Sequence, residues 1–208
     1  IIETGNPVRN DITTTLPNKK EACNFFPLST DKKTILIIGG SLGAKTINES
    51  IEKNLLQFQQ NNLQIIWQTG KVYYDGIIER TKNIDLSSIK IQQFIREMNM
   101  AYAAADIVVS RAGALSISEL CIIGKPSILI PSPNVSEDHQ TKNAMALVTK
   151  NAAILIKDVE AKDTIDTTIL NLLQDETKLI KLANNIKTLA KSNAATEIVT
   201  AILQDINH

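Results

Sequence analysis

The sequence is poor in cysteine and histidine, and it contains no long apolar run. Two cysteines and two histidines among 208 residues are too few for a disulfide framework or a histidine-based metal site, and they make a reducing compartment the default expectation. No apolar segment approaches the roughly 18–20 residues of a membrane span, and no signal peptide is recognisable. These shortages argue against a secreted disulfide-rich protein and against a membrane-spanning one.

An excess of charge of one sign is also missing, because 22 basic residues balance 22 acidic ones. Proteins that bind nucleic acid usually carry a basic excess, so the zero net charge argues against that class. Hydrophobic residues make up 43% of the sequence, which excludes disorder over most of its length. The scarce residues are more informative: only four arginines occur (Arg9, Arg80, Arg96 and Arg111), and three of the eight glycines lie within residues 39–43.

Six short apolar runs rich in Ile and Val follow residue 33 and alternate with helical patterns. The runs are nearly continuous rather than alternating, which is typical of strands buried on both faces. Strands separated by helices predict right-handed βαβ units, and hence an α/β fold with a doubly wound, mostly parallel, Rossmann-like sheet. The predicted strands are 34–38, 64–67, 89–91, 106–110, 126–130 and 153–156. The predicted helices are 43–60, 71–82, 97–105, 114–123, 138–150, 161–173, 175–190 and 194–205.

The same pattern predicts the domain organisation. Residues 1–33 lack periodicity and contain three of the six prolines, so we expect an irregular lead-in. Residues 34–193 are predicted to form one ligand-binding α/β domain, and residues 194–208 a helical tail. The first residue is Ile1 rather than methionine, which leads us to expect a fragment of a longer protein. Ligands of such sheets bind beyond the carboxyl ends of the strands, so the strand-to-helix junctions are the candidate sites.

The junction after the first strand reads Gly-Gly-Ser-Leu-Gly-Ala over residues 39–44. Glycines allow an anion to approach the backbone, and the following helix offers unpaired N–H groups and a positive dipole end. The string is neither G-x-G-x-x-G nor a P-loop, so a tight turn without a ligand is the alternative. It also matches G-x-S-x-G, the nucleophile elbow of hydrolases, and Ser41, Asp106 and His139 follow the order that a hydrolase triad requires.

Later junctions carry residues suited to a nucleotide sugar. Glu119 either completes a Ser-x-x-Glu capping box begun by Ser116, or accepts hydrogen bonds from a ribose diol. His139 and Gln140 begin a helix, where they either bind sugar hydroxyls or form a polar helix start without a ligand. Residues 94–95 (Phe-Ile), just past the third strand, form an apolar pair that could hold a flat base.

Four motifs in a fixed order together resemble one family. Residues 5–9 read GNPVR, 39–44 GGSLGA, 110–120 SRAGALSISEL and 137–144 EDHQTKNA. Over residues 4–202 the chain resembles the C-terminal, donor-binding half of the MurG family of glycosyltransferases. The resemblance implies half of a GT-B fold and a hexosyltransferase that uses UDP-N-acetylglucosamine to convert lipid I to lipid II in peptidoglycan synthesis. It also implies a peripheral location at the cytoplasmic face of the bacterial inner membrane.

The resemblance further implies roles around the diphosphate. Arg9 matches an arginine close to the diphosphate and the sugar, and Ser41, with the amides around Gly40, matches a contact of the donor pyrophosphate. The helix start beside the α-phosphate is matched by Ala114, Leu115 and Ser116. A serine hydroxyl stands there in place of the commoner threonine hydroxyl.

Other matched positions concern the base, the ribose and the sugar. Ile95 matches a position whose main chain binds uracil, and Glu119 matches the ribose-binding glutamate. Gln140 matches a glutamine that contacts the hydroxyls of N-acetylglucosamine. His139 occupies the adjoining position, where some members carry a second glutamine.

The resemblance also implies that part of the enzyme lies outside this chain. An N-terminal domain, joined through residues 1–33, would hold the lipid-linked muramoyl-pentapeptide acceptor, the catalytic base and a membrane-facing apolar patch, and the helix over 194–208 would pack on it. The chain alone is then expected to be soluble, to contain no catalytic residue, and to bind UDP-N-acetylglucosamine without metal, cofactor or sugar transfer. The alternatives are a UDP-N-acetylglucosamine epimerase of the same fold, a binding module without catalysis, and a hydrolase that uses Ser41.

Overall fold

Six parallel strands form the sheet of the computed structural model, which describes residues 2–13 and 16–206. The strands are β1 (Thr34–Ile38), β2 (Gln64–Gln68), β3 (Ile89–Gln92), β4 (Ile107–Ser110), β5 (Ser127–Leu129) and β6 (Ile154–Leu155). They lie in the order β3-β2-β1-β4-β5-β6, and each pair is parallel. The predicted doubly wound sheet is confirmed, with strand bounds within one residue of those expected.

Helices connect the strands and cover both faces of the sheet. They are α1 (Asn10–Thr13), α2 (Lys19–Phe25), α3 (Lys45–Lys53), α4 (Leu55–Gln60), α5 (Tyr74–Thr81), α6 (Met98–Ala104), α7 (Ala114–Ile123), α8 (His139–Val148), α9 (Ala161–Gln174), α10 (Glu176–Lys187) and α11 (Ala194–Ile206). None of the described helices combines the length and the apolar composition that crossing a membrane requires.

Successive residues of the central strands enter two separate cores. Leu36 and Val108 pack with residues of α1, α2, α6 and α7 on one face of the sheet. Their neighbours Ile37 and Val109 pack with residues of α3, α4 and α9 on the other face. Because both faces are covered, every position of β1 and β2 is buried, which explains the nearly continuous apolar runs.

The lead-in is more ordered than the sequence predicts, because it contains α1 and α2. Ile12 and Cys23 of these helices are buried in the same core as Tyr102 of α6. Asn18 caps α2 by accepting from the Glu21 N–H at 2.9 Å, and the Glu21 carboxylate accepts from the Asn18 N–H in return. The described residues leave out part of the predicted terminal segments: Ile1, Thr14 and Thr15 of 1–33, and Asn207 and His208 of 194–208.

Two helices, α3 and α4, replace the single helix expected over 43–60. The break lies at Asn54, whose side-chain amide donates to the Ser50 carbonyl at 2.9 Å. Asparagine side chains compete in this way for backbone groups and interrupt helices. The change of direction at Asn54 brings Leu55 and Phe58 of α4 into the core.

The loops after β1 and β2 touch each other backbone to backbone. A Cβ at Gly43 would lie 2.1 Å from the Thr69 carbonyl oxygen, and a Cβ at Gly70 would lie 2.1 Å from the Gly43 nitrogen. Both glycines have positive φ angles, +85° at Gly43 and +81° at Gly70. No side chain fits either position without moving one loop away from the other.

We predict that Gly43→Ala lowers the free energy of unfolding by at least about 2 kcal/mol, because it adds a steric clash to a strained φ. Gly76→Ala is the matched control: Gly76 lies inside α5, and its added Cβ would meet only the end of the Arg80 side chain, at 3.0 Å. Since alanine favours helix, the control is expected to gain about 0.5–1 kcal/mol. Urea unfolding measures both; a Gly43→Ala protein as stable as the wild type would contradict the close loop contact.

Candidate functional site

A cleft of about 470 Å³ lies beyond the carboxyl ends of β1, β4 and β5. Its walls come from the loops that follow these strands and from the segment after β6. This is the edge of the sheet where the sequence predicts a ligand. All ten predicted site residues are described, and three of them line the cleft: Gly40, Ser116 and Gln140. A larger cleft of about 590 Å³ between α3 and α5 contains none of the ten.

The loop after β1 gives the cleft a wall of bare backbone. Gly40 has a φ of +87°, and no atom lies within 4 Å of where its Cβ would be. The Gly43 N–H closes the turn on the Gly40 carbonyl at 3.1 Å, while Ser41 is exposed on the same loop. α3 follows from Ala44 without a side-chain cap, which leaves its first N–H groups available to an anion.

A second uncapped helix start, that of α7, lies across the cleft. Its N-cap is Gly113, which has no side chain to cap the helix, so the amides of Ala114, Leu115 and Ser116 form an open first turn. The capping box predicted from Ser116 to Glu119 is wrong, because the helix begins at Ala114 and Ser116 already lies inside it. Ser116 lines the cleft instead, at the position where the sequence predicts a phosphate contact.

Arg111 forms the floor between these two helix starts. Its Nη1 donates to the carbonyls of Ile130 (3.0 Å) and Pro131 (3.1 Å) and to the Asp158 carboxylate. The second oxygen of Asp158 accepts from Thr46 Oγ1 at 2.8 Å, in the first turn of α3. The Arg111–Asp158 pair therefore ties together the loops after β4, β5 and β6 and the start of α3.

Gln140 braces two loops and faces the cleft. Its Oε1 accepts from the Ala112 N–H at 3.2 Å and from the Ser132 N–H at 3.0 Å. Because both partners are donors, the contacted atom is the oxygen, and no described residue accepts from the side-chain NH₂ group. Asn143, one turn later on α8, donates to the Ala112 carbonyl at 3.0 Å. His139 is exposed and does not line the cleft.

Glu119 lies further along α7, with its carboxylate against a buried phenol. Tyr102 Oη donates to Glu119 Oε2 at 3.0 Å. Burial raises the pKa of Glu119 above its ordinary value, although the Tyr102 hydrogen bond and the charge of Arg9 partly oppose the shift. Burial beside the Glu119 carboxylate also raises the pKa of Tyr102, which remains a donor.

Two predicted contacts are occupied by other groups in this structure. Arg9 donates from Nε to Asp11 Oδ1 at 3.0 Å and from Nη2 to Oδ2, which directs one edge of its guanidinium to that carboxylate. The Ile95 N–H donates to Gln68 Oε1 at 2.9 Å, and the Ile95 side chain is fully buried. A base that used this N–H would have to displace Gln68, whereas the exposed Phe94 side chain is accessible.

The hydrolase alternative is wrong, because its acid lies at the opposite edge of the sheet. Asp106 precedes β4, and its carboxylate accepts from the Thr34 N–H at 2.7 Å, at the start of β1. Ser41 follows the end of β1, so a five-residue strand of about 16 Å separates the two. Ser41, Asp106 and His139 therefore cannot form a hydrogen-bonded triad.

A sequence model of the glycosyltransferase family 28 C-terminal domain matches residues 34–198. The chain belongs to glycosyltransferase family 28. A Parabacteroides distasonis relative is 50% identical over 207 residues, covering 100% of this chain and 56% of the relative. That relative is named UDP-N-acetylglucosamine--N-acetylmuramyl-(pentapeptide) pyrophosphoryl-undecaprenol N-acetylglucosamine transferase. The family 28 chain thus spans about half the length of the curated relatives it matches.

Solved structures agree with the assignment to family 28. The crystal structure of Acinetobacter baumannii MurG superposes with a TM-score of 0.75 at 27% identity, over 95% of this chain and 55% of that one. The resemblance to the C-terminal half of MurG is therefore confirmed. A UDP-N-acetylglucosamine 2-epimerase superposes with a TM-score of 0.61 at 12% identity, over 94% of this chain and 48% of that one. This second likeness shows the shared fold alone.

The family 28 cleft also contains residues that the sequence analysis did not select. Arg111 is the clearest example, and a signal for it was present: it is one of only four arginines and directly follows a buried strand. Thr46 and Asp158 carried no such signal, since their importance depends on a contact between segments 112 residues apart.

We predict that Glu119 makes stability depend on pH in a defined direction. Its folded-state pKa lies above the unfolded value, so its contribution to stability is complete below the unfolded pKa and is lost as pH rises through the folded pKa. Glutamine does not titrate, so the Glu119→Gln protein does not lose this stability as the pH rises. Its free energy of unfolding relative to wild type should therefore increase from about pH 4 to about pH 7.

Urea unfolding across this pH range measures the difference, and Glu3→Gln is the control with the opposite sign. Lys191 lowers the pKa of Glu3, so its stabilising contribution is present at neutral pH and is lost as pH falls. A stability difference for Glu119→Gln that does not change with pH would contradict the raised pKa of Glu119.

Proposed function

We propose that this chain is the donor-binding half of an enzyme that transfers N-acetylglucosamine from UDP to a lipid-linked muramoyl-pentapeptide, converting lipid I to lipid II. The observation that carries the proposal is the convergence of the two uncapped helix starts, α3 and α7, on one cleft. Helix N-termini favour phosphate groups, and a diphosphate has two of them to place. The name of the Parabacteroides distasonis relative, an N-acetylglucosamine transferase, supports the same substrate.

Each part of the donor has a residue suited to it. The diphosphate would lie between the Gly40–Ser41 backbone and the first turn of α7, residues 114–116. The ribose diol would donate to the Glu119 carboxylate, whose other partner is Tyr102. The NH₂ group of Gln140 would donate to a sugar hydroxyl, with His139 beside it. Uracil would take the place of the Gln68 side chain at the Ile95 main chain and contact the exposed Phe94 ring.

The proposed reaction is an inverting displacement at the anomeric carbon. The acceptor hydroxyl forms a new bond to this carbon and gives its proton to a base, while the bond to UDP breaks and its electron pair leaves with the diphosphate. The helix N-termini of this chain stabilise the charge on that leaving group. The acceptor, the base and the contact with the cytoplasmic face of the inner membrane belong to the remainder of the enzyme, so this chain alone would bind UDP-sugar without transfer.

The two ends of the chain would connect it to that remainder. We propose that residues 1–33 form the link between the domains, and that α11 covers part of the other domain. α11 supports this by its surface: Val199, Ile202 and Ile206 are each more than half exposed on successive turns. Residues 34–193 then form the UDP-sugar domain itself.

The ribose contact is tested with a ligand that lacks the diol. We predict that Glu119→Ala weakens UDP binding about tenfold in calorimetry, because hydrogen bonds to a charged group are lost. Wild type and variant should bind 2′,3′-dideoxy-UDP equally, since that ligand cannot make those bonds. A similar loss for both ligands would place Glu119 outside the ribose site, and a wild-type chain that does not bind UDP would refute the proposed function.

The sugar contact is tested by the ratio of two affinities. We predict that Gln140→Ala lowers the ratio of UDP-N-acetylglucosamine to UDP affinity by about fivefold to tenfold, because one hydrogen bond to the sugar is lost. Asn143→Ala is the matched control, since Asn143 also hydrogen-bonds to Ala112, through its carbonyl, without lining the cleft. Its ratio should equal that of the wild type. An unchanged ratio in Gln140→Ala would remove Gln140 from the sugar site.

A further inference from the structure

A diphosphate carries more charge than two helix starts neutralise, and Arg9 is poorly placed to supply the missing cation. One edge of its guanidinium, Nε and Nη2, is engaged by Asp11, and its side chain is 41% exposed. Arg9 is also absent from the lining of the cleft. Two other cations do line the cleft, Lys45 and Arg111, and the Lys45 side chain is 71% exposed.

Arg111 has the location that Arg9 lacks. It lines the cleft between the Gly40 backbone and the start of α7, and its side chain is only 13% exposed. Its Nη1 is engaged by Ile130, Pro131 and Asp158, while no described residue accepts from Nε or Nη2. No side-chain nitrogen of the described residues is both buried and without a partner, so these remaining N–H groups reach solvent. Because Arg111 is a lining residue of the cleft, these groups are placed to face it.

The surroundings hold the Arg111 guanidinium in one orientation. Two carbonyls and a carboxylate fix Nη1, and Thr46 fixes that carboxylate by donating to its other oxygen. A guanidinium has a planar fork of donors that matches two phosphate oxygens, so fixing one corner directs the opposite edge. Asp158 lines the cleft itself, and its carboxylate holds Nη1 of Arg111 in place.

We propose that Arg111 is the cationic contact of the donor diphosphate and that Asp158 is its positioning residue. This inference rests on the proposed function, and it names the group that would neutralise the leaving UDP. The contact uses the Nε and Nη2 edge of Arg111, across the cleft from the open Gly40 peptide.

The variant that tests it is Arg111→Lys, which keeps the charge and loses the fork. We expect its UDP affinity to fall about tenfold in calorimetry while its uridine affinity stays within about twofold of wild type. Arg80→Lys is the matched control, because Arg80 forms a two-bonded pair with Glu52 outside this cleft. It should change neither affinity. Asp158→Asn should also lower the affinity for UDP but not for uridine, by a smaller factor than Arg111→Lys.

A measurement on the wild-type chain tests the Arg111 contact even if a variant does not fold. With only four arginines, the side-chain Nε–H resonances are resolvable by ¹⁵N NMR. UDP is expected to shift the Arg111 resonance and to leave that of Arg80 in place, whereas uridine should leave Arg111 unchanged.

Several results would overturn the inference and leave the proposed function standing. One is an Arg111 resonance that UDP does not shift. Another is an equal loss of affinity for UDP and for uridine in Arg111→Lys. The third is a loss of UDP affinity alone in Arg9→Lys, with no such loss in Arg111→Lys. A wild-type chain that binds no UDP would instead refute the proposed function itself.

Discussion

Parallel pairing of the six strands is the constraint on which the candidate site depends. Because all strands run in one direction, each strand-to-helix loop emerges at the same edge of the sheet. β1 and β4 are neighbours whose following helices lie on opposite faces, since α3 packs in one core and α7 in the other. Such a divergence opens a crevice between the two loops. The convergence of two helix starts on one cleft is thus a consequence of topology.

This topology explains how a chain without net charge can favour a diphosphate. In the proposed function, oriented peptide groups at the starts of α3 and α7 attract the diphosphate, and these groups carry partial rather than formal charge. Arg111, which lies between them and is 13% exposed, is paired with the Asp158 carboxylate. The second oxygen of the Asp158 carboxylate is held by the Thr46 hydroxyl. Overall charge therefore excludes a polyanion and says little about a single diphosphate.

The sheet could be predicted from the sequence because burial on both faces forces each strand to be apolar throughout, as in β1 and β2. Short helices held by tertiary contacts could not be predicted in this way. α1 has only four residues, and it is held in place because Ile12 packs in the core. Among the cleft residues, too, some could be predicted from the sequence and others could not. Gly40 and Ser116 follow from their place after a strand, whereas the pairing of Arg111 with Asp158 joins positions 47 apart in sequence.

The side-chain amides of two glutamines join the separate loops. Gln68, the last residue of β2, donates to the Gly40 carbonyl at 3.0 Å and accepts from the Ile95 N–H at 2.9 Å. It thereby joins the loop proposed for the diphosphate to the loop proposed for the base, as Gln140 joins the loops after β4 and β5. If uracil takes the Ile95 N–H, the Gln68 oxygen loses its donor and the Gly40 peptide loses part of its support. Binding of the base and of the diphosphate would then be coupled through one side chain that need not contact the ligand.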